Sequence, residues 1–200
     1  MSFKKQNIFF LFFFLTLIFP SNSCNHATLQ SVSPANCMDK GTNIVKLTGT
    51  PGMIMTTTHC NDYIFDKVPL EISIKLFVLE YSREFDIDKD VIWKSLSGLV
   101  VEVSATPREV YAAYDTNGKL IKNATVSGLA LSPRHIWVEI RTSQIWTSSL
   151  IHELVHIVIW HDNLLIHGDP DHEGPQYSGW TKKHTQFIHK MNRDLSDLDI

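Results

Sequence analysis

Apolar positions recur along this chain with two different periods. Between Pro69 and Glu84, Leu70, Ile74, Phe77 and their neighbours fall at helical spacing while Lys75, Glu80 and Arg83 take other faces, which predicts a helix with proline in its first turn. Asp88 or Asp90 can cap a second, short helix through Trp93 and Leu96, stopped near Gly98. Leu99 to Ser104 is β-rich, and Val110 to Tyr114 and Lys119 to Val126 flank Asn117-Gly118, the dipeptide that suits a type I′ hairpin turn. From Arg134 to Arg141 the period is two. Ile136, Val138 and Ile140 share one face and Trp137, Glu139 and Arg141 the other, so a half-buried strand is expected.

A helix follows, capped by Thr147 or Ser148 and running to about Trp160, and it is apolar nearly all round. Gly168 to Ser178 carries Gly, Pro and Asp and reads as loop. Trp180 to about Leu195 closes the chain as a helix with Phe187 and Met191 on its apolar side. Upstream, Gly41 to Asn61 is rich in Thr and Gly, with Pro51-Gly52 as a turn between short strands. Helix, sheet, buried helix, loop and helix make an α+β arrangement.

The first residues form a segment of another kind. Lys4 and Lys5 precede an apolar run from Ile8 to Phe19, which Pro20 breaks before Ser21-Asn22-Ser23-Cys24. The run is short for a membrane span, which takes about 20 residues, and fits a secretory signal over residues 1–23. Asn25 to Asn36 reads as a flexible tether. The net charge of −3 supplies no basic field for nucleic acid.

The chemistry is concentrated in Leu150-Ile151-His152-Glu153-Leu154-Val155-His156-Ile157-Val158. Residues four apart on a helix project nearly the same way, so His152 and His156 can share one metal ion, and Glu153, about 100° round, can reach a water beside it. Zn²⁺ suits two imidazoles plus a third protein ligand, with a fourth position left for water. Glu153 would then serve as general base. Buried polar groups need partners, and one ion would satisfy all three side chains.

This motif resembles that of the zincin metallopeptidases. The resemblance covers roughly Ile136 to Trp180 and implies a small antiparallel or mixed sheet packed on a buried active-site helix, with further helices. It implies peptide-bond hydrolysis with one Zn²⁺ held by His152 and His156, Glu153 as base, and a peptide lying as an added strand along Arg134 to Arg141. The residues depart from the metzincin pattern at Ile159, where Gly is usual, so the third ligand stays open. His172, in the turn-rich Gly168-Asp169-Pro170-Asp171-His172-Glu173-Gly174, is favoured on its similarity to exported bacterial zincin-like lipoproteins. Asp162, His167, Glu173 and His184 are the alternatives. The family's use of a Tyr or His to steady the oxyanion points to Tyr177, with His184 as another candidate.

Cys24, after a small residue, also resembles the lipidated cysteine of a bacterial lipoprotein signal, although Ser21 stands where Leu is usual. That similarity implies an exported protein, membrane-anchored at the periplasmic or cell surface or else secreted, with Cys37 and Cys60 left as a disulfide pair. The domains expected are a signal peptide at 1–23, a tether and disulfide-stapled segment at 24–62, and a zincin-like catalytic domain at 63–200. The competing function is a lipid-anchored binding or adhesion module that keeps the scaffold without significant turnover. Glu153 favours the enzyme, since a purely structural site needs no base.

Overall fold

Strands of alternating character and helices of apolar character account for most of the chain that the computed structural model describes, residues 42–58, 65–104, 108–114, 120–140, 149–163 and 180–198. In order they are β1 (Thr42–Lys46), β2 (Ile54–Thr58), α1 (Lys67–Phe85), α2 (Lys89–Leu96), β3 (Val100–Ser104), β4 (Arg108–Tyr114), β5 (Leu120–Val126), β6 (Gly128–Ser132), β7 (His135–Glu139), α3 (Leu150–Asn163) and α4 (Lys182–Ser196). The signal segment, the tether, Cys24, Cys37, Cys60, Asn117-Gly118 and the loop at 168–178 lie outside the described residues.

Five strands form one mixed sheet in the order β1-β2-β3-β7-β6. The central three are parallel, because α1 and α2 carry the chain back from β2 to β3, whereas β1 and β6 are antiparallel to their neighbours. With four helices among the described residues this is an α+β fold. β4 and β5 pair as a separate hairpin with Tyr114 opposite Leu120.

Alternation divides the sheet into two faces. Met55, Val101, Val103, Ile136 and Val138 join the main core with α1, α2, α3 and α4. On the other face Trp137 and Leu129 meet Val110 of the hairpin, and the guanidinium of Arg108 lies 4.8 Å over the Trp137 ring. The hairpin is why β7 is not the half-buried strand its alternation suggests: Trp137 is fully buried and Glu139 nearly so. β1 and β2 belong to the sheet, and Leu47, Met53 and Met55 belong to its core.

The helices start where local chemistry allows. The Asp66 carboxylate accepts the Val68 N–H at 2.9 Å and opens α1 two residues before Pro69 joins it, and Asp88 does the same for α2 through Asp90 N–H. In α3, Leu150, Ile151, Leu154, Val155, Ile157, Val158 and Ile159 are all buried. Each such side chain contributes about 1.5–3 kcal/mol relative to exposure. A helix held on every side fixes the direction of each polar side chain it carries.

Candidate metal centre

The two histidines of α3 converge. His152 Nε2 and His156 Nε2 stand 3.1 Å apart, with ring centroids separated by 4.9 Å. Without a cation, one Nε2–H donates to the other. Two nitrogens bound to one tetrahedral Zn²⁺ would lie about 3.3 Å apart, given Zn–N bonds of about 2.05 Å. The pair therefore fits a shared ion almost as it stands, with the cation replacing the shared proton.

Glu153 leaves the same turn of helix in another direction, towards β6. Ser149 accepts the Glu153 N–H at 3.0 Å, which starts the helix one turn before the motif. The carboxyl is buried, and burial pushes its pKa up to about 8 against the pull of a hydrogen bond from the Ala130 backbone. Gly128 makes room for it: a Cβ there would stand 2.4 Å from Glu153 Oε1 and 2.4 Å from Ser149 Cβ. Glycine inside a strand commonly marks such a close approach.

Among the described strands β6 is the last of the sheet, and its outer edge, at Ala130, meets this carboxyl. Glu139 N–H donates to Ser127 O at 2.8 Å, so the next pairs, Gly128 with Val138 and Ala130 with Ile136, alternate to non-hydrogen-bonded ones where Gly128 opposes Val138. Gly128 and Ala130 thus turn their main-chain groups away from β7. This corrects the expectation that a peptide could pair with the strand at 134–141: β7 is flanked by β3 and β6 on both sides. β6 went unrecognised in the sequence. Its five residues, Gly-Leu-Ala-Leu-Ser, hold no β-branched or aromatic side chain.

No family model, no curated protein and no solved structure matches the chain.

The remaining candidates separate cleanly. His184 is committed elsewhere: its Nδ1 accepts the Thr181 backbone N–H at 3.0 Å, and its Nε2, 3.1 Å from Tyr81 Oη, donates to that hydroxyl. Burial, reinforced by the Lys183 charge, lowers its pKa to about 4, so the ring is neutral. It locks α4 to α1, with both ring nitrogens engaged in these bonds. His161 lies 3.0 Å from the Pro133 carbonyl, on the side of α3 away from the pair. Because α3 runs unbroken to Asn163, the backbone of Asp162 lies about 9 Å beyond that of His156 along the axis and about 120° round it. Glu139 faces away from α3 and accepts from Ser127 Oγ at 2.8 Å, so it does not serve the histidines.

His167, His172, Glu173 and Tyr177 lie outside the described residues, as do Asp169, Asp171 and the side chain of Asp162. Among the described residues no group of three or more His, Cys, Asp or Glu side chains gathers at one point. What sequence reading missed beside the pair is Trp180. Its buried ring packs 5.2 Å from that of His152 and 4.8 Å from that of His156.

Proposed function

We propose that this chain is an exported zinc-dependent peptidase of the zincin type. The observation that carries the reading is the convergence of His152 Nε2 and His156 Nε2 at 3.1 Å from adjacent turns of a buried helix. Three features support it further. Glu153 lies next to His152 in sequence and its buried carboxyl sits beside β6, the strand β6 turns main-chain groups outward there, and β6 runs antiparallel to β7 at the side of the parallel β2-β3-β7 run.

His152 and His156 would hold the ion, with His172 as the proposed third ligand. Trp180, eight residues after His172 in sequence, packs against both rings. Zinc, when bound, supplies Lewis acidity that polarises the scissile carbonyl and lowers the pKa of water to about 7. Glu153 takes the proton from the attacking water and delivers it to the leaving nitrogen. Its burial among apolar residues gives it high proton affinity, and positive charge at the histidine pair favours its carboxylate form. A peptide laid as an added strand on the outer edge of β6 would present its carbonyl between Glu153 and the histidines. Tyr177 is the proposed oxyanion donor.

The test is direct. Purified mature protein should carry one zinc per chain by elemental analysis and should cleave members of a mixed peptide library, with both properties lost in His152→Ala. Zinc without cleavage under broad conditions would favour the binding or adhesion module instead. No zinc in freshly purified protein would remove both readings.

A further inference from the structure

We propose that Trp180 is the positioning residue of the histidine pair, a flat apolar wall that keeps both imidazoles turned to one point. The inference rests on the zinc reading above. An exposed pair of histidines has several staggered χ1 wells and a broad χ2 for each ring, and few combinations bring two Nε2 atoms together. Here one indole touches both rings, tilted by 47° to His152 and 37° to His156.

Trp180 is itself held from behind. Its Nε1–H donates to Thr185 Oγ1 at 3.1 Å, one turn into α4. The start of α4 is fixed by the Thr181 N–H on His184 Nδ1, and His184 is fixed by Tyr81 on α1 and by stacking on Phe85, with centroids 4.3 Å apart. A continuous set of contacts therefore runs from α1 through the start of α4 to the two rings. Partners behind metal-binding histidines set their orientation and hence the affinity of the site. A tryptophan acting only as core filler would stabilise the fold and leave the affinity of the folded molecule unchanged.

The experiment uses the full mature chain as Trp180→Leu, Trp180→Phe and Thr185→Val. Zinc affinity is measured by competition with a chromophoric chelator, and the visible spectrum of the Co²⁺-loaded protein reports coordination geometry. Trp180→Leu fills most of the volume without a flat ring and should weaken zinc by about tenfold or more and alter the Co²⁺ bands. Trp180→Phe, which restores a ring, should stay within about threefold of wild type. Thr185→Val frees the indole N–H and should weaken zinc by a smaller, measurable factor. Wild-type affinity and an unchanged Co²⁺ spectrum in both Trp180→Leu and Thr185→Val would overturn the role of Trp180 and leave the zinc site intact. If Trp180→Leu does not fold, Thr185→Val with wild-type affinity is sufficient to overturn it. A wild type that binds no zinc at all would remove the site and this inference together.

Discussion

The carboxyl of Glu153 lies so close to Gly128 that a methyl group on Gly128 would stand 2.4 Å from Oε1. The same methyl would meet Ser149 Cβ, so neither neighbour offers an easy way out. Gly128→Ala should therefore shift the carboxyl off the Ala130 backbone and cost about 1–3 kcal/mol of stability through overpacking. Zinc content should stay at wild-type level, since the atoms nearest the added methyl belong to Glu153 and Ser149, while kcat falls by about tenfold or more, the loss expected when a proton-transfer group is misplaced. Urea denaturation and steady-state kinetics on the same preparation check both halves. A fully active Gly128→Ala protein would mean that Glu153 does its work in some other position.

What made α3 legible was redundancy. Its His152–His156 spacing, its apolar neighbours on all sides and its length agree on one buried helix, and the rings do converge. α1 and α2 were legible for the same reason, with Asp88 as cap and Gly98 just past the end. The β6 edge was not legible. Its importance comes from lying beside Glu153, a relation between segments far apart in sequence that no local period records. β7 misled for a related reason: alternation reported its faces correctly but said nothing of the β4–β5 hairpin that buries Trp137 or of the two strands that occupy its edges. His184 looked like chemistry because histidine is a ligand type, yet its Nε2 ties α4 to Tyr81 of α1 and its Nδ1 accepts from Thr181 at the start of α4.

Glu153→Gln separates catalysis from structure. With its pKa pushed up to about 8, the metal-free carboxyl carries a proton at neutral pH, and glutamine matches that form in shape and charge. The variant should fold, melt within a few degrees of wild type and bind zinc, while peptide hydrolysis drops by about 100-fold or more, as for loss of a general base. Retained turnover in zinc-loaded Glu153→Gln would assign the base elsewhere.

Zinc should also appear as stability. A ligand that binds only the folded state at 100 times its dissociation constant adds about 2.7 kcal/mol. For a chain of this size that corresponds to a rise in Tm of roughly 5–10 °C. Chelation should lower the Tm of wild type by that amount and leave His156→Ala unmoved. Equal responses from the two proteins would place the stabilising ion away from the histidine pair.

His184 predicts how the fold responds to acid. Its pKa falls from the ordinary 6.5 to about 4 in the folded chain, first through burial and then through the Lys183 charge. The unfolded chain therefore binds a proton before the folded one does. Stability from this group is fully present above about pH 6.5 and is lost as pH falls towards 4. Allowing for partial solvent screening, the loss is on the order of 2 kcal/mol. Protonation would place an Nδ1–H against the Thr181 N–H, two donors facing each other, and so loosen the start of α4 that carries Trp180. His184→Gln gives up the ionisable group, so the wild-type-minus-variant difference in unfolding free energy should shrink between pH 6.5 and pH 4. Chemical denaturation of the metal-free proteins across that window measures it. A difference that stays constant with pH would show that His184 titrates alike in the folded and unfolded chains, and that the Tyr81–His184–Thr181 contacts do not set its charge.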